Sequence, residues 1–95
     1  MRGEFLMRTK IKKSVKVDYV SDEVLIYDVE SGFSGKGNKY SYMVLDLLSE
    51  ETTAEEIINV LTKRFSASQH ERIRKSVPNI IEWAKERNLL EIIAV

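Results

Sequence analysis

The sequence has few or none of several residue types on which chemistry and cellular compartment depend. Among its 95 residues there is no cysteine, one histidine and one proline. Without cysteine the chain can form no disulfide, no thiolate nucleophile and no thiolate metal ligand, a composition that suits a reducing cytoplasm. A single histidine leaves a structural zinc site without its ordinary ligands. The sequence therefore predicts no metal and no cofactor.

Long apolar runs are missing as well. No segment approaches the ~20 apolar residues that a transmembrane helix needs. The N-terminal segment MRGEFLMRTK has no apolar core of the kind that secretory signals carry. We therefore expect a cytoplasmic protein that makes no contact with a membrane.

Neither sign of charge is in excess, because 15 lysines and arginines balance 15 acidic residues. No global field would attract nucleic acid or a membrane surface. No GxSxG motif occurs, His70 has no evident catalytic partner, and the glycines of GFSGKGN miss the spacing of a phosphate-binding loop. The sequence thus predicts no catalytic residue and a protein that is not an enzyme. Function must be sought in surfaces that bind.

The two ends of the chain differ from its middle. Residues 1–13 are basic and show no sustained periodicity, which predicts a flexible arm. Residues 14–95 are enough for one hydrophobic core and are predicted to form a single domain. The last segment, residues 89–95 (LLEIIAV), is apolar, so we expect it to pack as a tail or to add a short strand.

Three segments have the two-residue period of strands. Apolar residues alternate with polar ones over residues 15–19, and residues 24–29 are rich in β-branched and aromatic side chains. A third, glycine-rich strand is predicted over residues 33–40. Its Gly35 and Gly37 weaken regular pairing and permit a bulge or the close approach of another backbone.

From residue 41 the period becomes helical. Ser41 is a plausible N-cap of a first short helix, and Thr53 with Glu56 has the spacing of a capping box before a second. A third helix is predicted over residues 68–88. Its apolar face consists of Ile73, Val77, Ile80, Ile81 and Ala84. Because Pro78 lies inside it and removes the bond to the carbonyl four residues earlier, we expect a kink or a break.

Two surfaces stand out as candidates for binding. Residues 23–42 read as a hairpin whose second strand is followed by helices, so its outer edge has no evident partner and could accept an added peptide strand. The segment HERIRK places Arg72, Arg74 and Lys75 in early helical turns, where the helix dipole disfavours cations. That placement is explained either by an acidic partner or by a simple solvent-exposed face.

The order of these elements resembles a known family, the PqqD-like domains, also called precursor-peptide recognition elements of ribosomally made peptide natural products. The resemblance runs from about Val15 to Leu90. It rests on the strand pair VLIYDVESG, an Asn38 before the first helix, the helices MVLDLL and TTAEEIINVLTKRF, and the closing segment SVPNIIEWAKERNLLE. The chain departs from the family's pattern at Gly37, where such domains usually show leucine, and at Asn88, where they often show glycine.

The resemblance implies an α+β, winged-helix-like fold with a three-stranded antiparallel sheet followed by three helices. It also implies an adaptor that binds the leader segment of a precursor peptide and presents the peptide to a modifying enzyme, such as a leader protease, a cyclase or a radical enzyme. The leader would add as a strand in a groove between residues 33–40 and the last helix. The residues predicted to contact it are Phe33, Ser34, Gly35, Lys36, Gly37, Asn38, Lys39, Tyr40, Arg74, Val77, Ile81 and Lys85.

Two other functions remain open from the residues alone. A small winged-helix DNA-binding protein could place the helix carrying HERIRK in a major groove, although zero net charge and the proline in that helix argue against it. A dimerisation module could use the same open strand edge for self-association.

Overall fold

The computed structural model describes residues 8–93, and most of its strands precede its helices. In chain order the elements are strands β1 (Arg8–Ile11), β2 (Val15–Val20), β3 (Glu23–Asp28) and β4 (Ser34–Gly37), helices α1 (Lys39–Leu47), α2 (Ala54–Arg64) and α3 (His70–Glu86), and strand β5 (Leu90–Ile93). A short 3₁₀ turn, Ala67–Gln69, leads into α3. Within the described range no helix combines the length and the apolar character that crossing a membrane requires.

Strands β2, β3 and β4 form an antiparallel sheet in that order. The register pairs Val17 with Ile26, and Ile26 with Gly35. Ser21 and Asp22 join β2 to β3, and both have a positive φ (51° and 68°), as in the tight two-residue turn that matches the twist of a hairpin. The sheet and the three helices after it confirm the predicted α+β fold.

The core lies between one face of this sheet and the helices. On β3, Val24 and Ile26 point inward and are at most 1% exposed, whereas Leu25 on the opposite face is 41% exposed. The helices and Leu48, the C-cap of α1, contribute most of the rest of the core, and the helical residues are Val44, Leu45, Ile57, Leu61, Ile73, Val77 and Ala84. Cross-strand neighbours share a face of the sheet. The β4 residues that pair with Val24 and Ile26 therefore lie on the face that packs against the helices.

Asp28 organises the turn between β3 and β4 and is almost fully buried. Its carboxylate accepts hydrogen bonds from the Glu30 amide (2.9 Å) and the Ser31 hydroxyl (3.0 Å), and its backbone carbonyl accepts one from the Gly32 amide (2.9 Å). Gly32 has a φ of 82°, which glycine adopts without strain. The Ser14 hydroxyl, foremost, and the Glu30 amide lower the pKa of Asp28. This turn fixes where β4 starts.

Replacing Asp28 by alanine is expected to lower the melting temperature at neutral pH, because the donors of the turn lose their acceptor. Since the folded-state pKa is lowered, the carboxylate's contribution is fully present above its ordinary pKa of about 4 and is lost as the pH falls through the lowered value. Thermal melts of the wild type and Asp28→Ala should therefore converge in acid. Asp46→Ala, at an exposed position of α1, is the control. A difference that does not change with pH would contradict this role.

Side chains cap two of the helices. Asn38, with an extended backbone (φ −110°, ψ 179°), caps α1 and accepts a hydrogen bond from the Ser41 amide at 2.8 Å. The predicted cap, Ser41, lies instead inside the first turn. Thr53 caps α2 as predicted and accepts from the Glu56 amide at 3.1 Å. The Glu56 carboxylate accepts from the Thr52 hydroxyl (2.9 Å) rather than from the backbone of the cap, so half of the capping box is formed.

Helix α3 runs without a break through Pro78, contrary to the predicted interruption. Pro78 is exposed, so its ring projects toward solvent, while Ile73 and Val77 before it and Ala84 after it are buried. Burial on both sides of the proline compensates for the lost bond to the Arg74 carbonyl, because tertiary packing supplies most of a helix's stability.

The N-terminal segment differs from the predicted flexible arm of residues 1–13. Residues 8–11 form β1, which pairs antiparallel with β5. For residues 89–95 the sequence allowed either a packed tail or a short strand, and β5 confirms the strand. A four-residue strand rich in basic residues carries too little periodicity to be recognised from sequence. Residues 1–7 of the predicted arm lie outside the described residues.

Contacts on both sides hold β1 in place. The backbones of Thr9 and Thr52 exchange two hydrogen bonds of 2.8 and 2.9 Å. The Arg8 guanidinium lies 2.8 Å from the Glu51 carboxylate and 3.2 Å from that of Glu56. Arg8 is also the main cause of the lowered pKa of Glu56. These contacts join the two-stranded sheet to the loop before α2.

Candidate functional site

The outer edge of β4 is unpaired within residues 8–93, since β4 ends the sheet order. The hydrogen bond from the Asp28 amide to the Phe33 carbonyl (2.9 Å) fixes which peptide groups face which way. In an antiparallel pair hydrogen-bonded positions alternate. With the observed register, the residues that bond toward β3 are Phe33, Gly35 and Gly37. The amides and carbonyls of Ser34 and Lys36 are therefore directed at the open edge.

A cavity of about 490 Å³ opens beside this edge, between β4, α1 and α3. It is lined by Ile26, Lys36, Gly37, Asn38, Ser41, Leu45, Asn79, Ile80 and Trp83. Gly35 and Gly37 lie opposite Ile26 and Val24, so their missing side chains would have pointed toward the helices. On this face the Phe33 ring lies over Gly35, and the side chains of Ser41 and Ile26 lie close to Gly37.

Aromatic side chains form one end of this groove. The Phe33 ring folds over Gly35, so that a Cβ atom there would lie 2.9 Å from the ring. Phe33 also meets Trp83 edge-on, with ring centroids 6.0 Å apart. The Arg87 guanidinium lies 4.6 Å from the centre of the Trp83 ring and donates to the Trp83 carbonyl at 3.1 Å. Trp83 is thereby held between two neighbours as a wall of the groove.

The rim of the groove is polar and partly basic. The Asn38 side chain accepts hydrogen bonds from the amide and the hydroxyl of Ser41 (2.8 and 3.1 Å). Lys36 approaches Glu23 at 4.0 Å, but both side chains are more than 70% exposed, so the pair contributes little. Lys39 is exposed at the first position of α1. Two ammonium groups are therefore available beside the open edge.

Tyr40 packs from α1 toward the first half of α3. Its hydroxyl is enclosed, and among residues 8–93 it has no hydrogen-bond partner of ordinary geometry. Burial raises the pKa of Tyr40, and the nearby Ser76 hydroxyl and Arg72 charge oppose that rise. Tyr40 therefore packs α1 against α3 beside the groove.

A comparison with known families places this geometry in context. The sequence model described as "Coenzyme PQQ synthesis protein D (PqqD)" matches residues 23–90, which is well over half of the chain. The chain belongs to the PqqD family. The matched range contains β3, β4, all three helices and the groove between them. The resemblance found in the sequence is confirmed at the level of the family.

A solved structure shares the PqqD-like fold. It is described as "TbiB1 in Complex with the TbiA(beta) Leader Peptide", and it superposes with a TM-score of 0.70 over 86% of this chain and 94% of that chain. The two sequences are 21% identical, so the similarity concerns the fold. No curated protein sequence matches this chain.

The groove of this PqqD-family domain uses a different face of α3 from the one predicted. Val77 is fully buried and does not line the cavity. Arg74 lines a separate depression on the side of α2. Ile81 packs against the core, and Lys85 is exposed beside Glu82 at 3.9 Å. The structure thus separates these four residues from the groove, whereas it brings the predicted residues of β4 and the start of α1 together at its edge.

Six lining residues were absent from the predicted set, namely Ile26, Ser41, Leu45, Asn79, Ile80 and Trp83. Three of them lie on α3, where Asn79 and Ile80 are four and three positions before Trp83 and therefore share its face of the helix. The isolated tryptophan was the available signal, since the residues three and four positions before it share its helix face. The sequence does not show whether this face of α3 or the face carrying Val77 lines the groove, because that depends on where β4 lies relative to the helix.

The chemistry available at the groove is that of binding. It offers two backbone donor and acceptor pairs, an apolar floor and a basic rim, which suits an extended peptide. Within residues 8–93 no three histidine or acidic side chains approach closely enough to hold a metal ion.

Proposed function

We propose that this PqqD-family domain binds the leader segment of a ribosomally synthesised precursor peptide by strand addition to β4. The unpaired edge of β4 beside an apolar cavity is the observation that carries this proposal. Main-chain hydrogen bonds at such an edge supply affinity, and alternate side chains that enter the cavity supply selectivity.

The bound peptide would use the peptide groups of Ser34 and Lys36, which are directed away from β3. Every second peptide residue would then face the helices and meet Ile26, Ile80 and Trp83. The remaining side chains would lie on the outer face of the sheet. Acidic residues of the leader would be favoured near the Lys36 and Lys39 ammonium groups, which would increase the association rate more than the final affinity.

The comparisons support a peptide ligand. The solved structure of similar fold, TbiB1, is described as a complex with a leader peptide. The domain would act as an adaptor, or peptide chaperone, in the biosynthesis of a peptide natural product. By holding the leader, it would raise the effective concentration of the attached core peptide at a modifying enzyme such as a leader protease, cyclase or radical enzyme. No catalytic residue is needed for that role, and we place it in the cytoplasm.

Titration calorimetry tests the proposal with the leader half of the cognate precursor. We expect a one-to-one complex of about micromolar or better affinity, which is about 8 kcal/mol of binding free energy. Light scattering before and after addition distinguishes this complex from a homodimer. Duplex DNA is the competing ligand, because a DNA-binding protein would bind it with a steep salt dependence from released counterions. Tight duplex binding with no heat from the leader would reject the adaptor function.

A further inference from the structure

The basic segment HERIRK is not accounted for by the groove beside β4. Arg72 and Lys75 lie in the first two turns of α3, where the helix dipole disfavours cations. Both residues are exposed, and they line an open depression of about 510 Å³ together with Ser68, Glu71 and Ser76. Lys75 lies 3.5 Å from Glu71, in a pair too exposed to contribute much. No ion pair among residues 8–93 includes Arg72.

This depression continues the groove along α3. Residues four positions apart lie in one row on the surface of a helix. Two such rows lead from the groove to the depression, namely Ile80–Ser76–Arg72 and Trp83–Asn79–Lys75. The same side of α3 is therefore largely apolar in the groove and basic about two turns earlier.

Contacts at both ends of β4 show which way α3 runs past it. Phe33, just before β4, meets Trp83 in the second half of α3 with ring centroids 6.0 Å apart. Tyr40, just after β4, packs beside Ser76 and Arg72 in the first half of α3. The basic depression therefore lies beyond the C-terminal end of β4.

A strand added to β4 would extend toward this depression with its N-terminal side. Strands β2, β3 and β4 pair antiparallel throughout, so the added strand is expected to be antiparallel as well. Its N-terminal residues would then continue past Gly37. Ile80 and Arg72 are eight positions apart in α3, which is about 12 Å along the helix axis. An extended peptide covers that distance in about four residues.

We propose that Arg72 and Lys75 form a second recognition site for the same peptide, which binds carboxylate side chains about four residues N-terminal to the segment in the groove. The proposal rests on the proposed function and adds a charge requirement to the ligand. Continuity with the groove and charge complementarity both favour an acidic segment of the bound peptide. Duplex DNA suits this surface less well, because it needs a longer track of cations to neutralise its phosphates.

Charge reversal at two exposed arginines of α3 tests the site. Arg72→Glu alters the depression, whereas Arg74→Glu makes the same change in net charge on another face of the helix, beside α2. In stopped-flow mixing with the cognate leader at low salt, we expect association to be about tenfold slower for Arg72→Glu and within about twofold of the wild type for Arg74→Glu. High salt should remove the difference, because exposed charges are screened. Equal association rates in the two variants would overturn the site. If circular dichroism shows that Arg72→Glu does not fold, Lys75→Glu replaces it.

A spin label at either end of the leader tests the predicted direction. The label at the N-terminal end should broaden the amide signals of Ser68 and Ser76 in the ¹⁵N-labelled protein. The label at the C-terminal end should leave these signals sharp and broaden those of Phe33 and Arg87. The reverse pattern would overturn the N-terminal placement of the acidic residues.

An acidic model peptide tests the site without a leader. Hexaglutamate, blocked at both ends, is titrated into the ¹⁵N-labelled wild type and into both variants. We expect it to shift the Ser68 and Ser76 amides in the wild type and in Arg74→Glu, but not in Arg72→Glu. No shift of these amides in the wild type, or tighter binding of duplex DNA at the same amides, would overturn the site.

The two experiments separate this site from the proposed function. Failure of the leader titration with intact hexaglutamate binding would reject the proposed function and leave a carboxylate site on α3. Leader binding at equal rates by Arg72→Glu and Arg74→Glu would reject the carboxylate site and leave the proposed function.

Discussion

Proline at position 36 is expected to abolish capture of the leader peptide while leaving the fold intact. The Lys36 amide is directed at the open edge of β4 and makes no bond within the sheet, so the substitution removes a donor that only an added strand would use. A peptide carbonyl then loses its partner, which costs about 1–3 kcal/mol, or about 5- to 150-fold in Kd. The proline ring additionally obstructs the approach of the strand. Calorimetry with the leader measures the loss.

Two variants control for side-chain and proline effects. Lys36→Ala removes the ammonium group but keeps the amide, so it should weaken binding far less than Lys36→Pro. Lys39→Pro places proline at the first position of α1, where helices tolerate it, and Asn38 before it already has the extended backbone that a following proline requires. Lys39→Pro should therefore lose no more affinity for the leader than Lys39→Ala, which also removes the ammonium group. Equal losses in Lys36→Ala and Lys36→Pro would show that the side chain, and not the backbone, makes the contact.

The strands and the helix caps are the parts of the fold that the sequence specifies locally. Alternation over residues 15–19 is a direct consequence of burying one face of a strand, and it predicted β2. The β-branched and aromatic content of residues 24–29 predicted β3. Thr53 caps α2 because its hydroxyl reaches an amide three residues later, a contact that depends on neighbouring residues only. The open edge of β4 was likewise predictable, since only helical patterns follow it until the last residues.

Features that depend on distant contacts were not predictable in this way. Strand β1 exists because β5 and Thr52, far along the chain, supply its hydrogen bonds. Helix α3 passes through Pro78 because residues on both sides of the proline are buried against other elements. At the groove, the residues of β4 could be predicted because the edge is a single segment, whereas the lining face of α3 depends on how the helix is rotated against the sheet. Val77 and Ile80 are both apolar, and packing alone buries the first and leaves the second at the cavity.

The rotation of α3 gives a test that uses two neighbouring isoleucines. Ile80 lines the groove, whereas Ile81 packs against the core outside it, and both are partly buried. Ile80→Asp places an unpaired charge where the peptide would bury apolar side chains, so we expect dissociation of the leader to accelerate by about a hundredfold or more.

Ile81→Asp is the matched control, since it introduces the same charge one residue away. It should destabilise the fold to a similar degree yet leave the dissociation rate of the folded protein nearly unchanged. Stopped-flow displacement of a labelled leader measures both rates, at a temperature where circular dichroism shows each variant folded. If Ile81→Asp accelerated dissociation and Ile80→Asp did not, the peptide would bind along the Arg74 and Lys85 face of α3, and the groove beside β4 would not be its site.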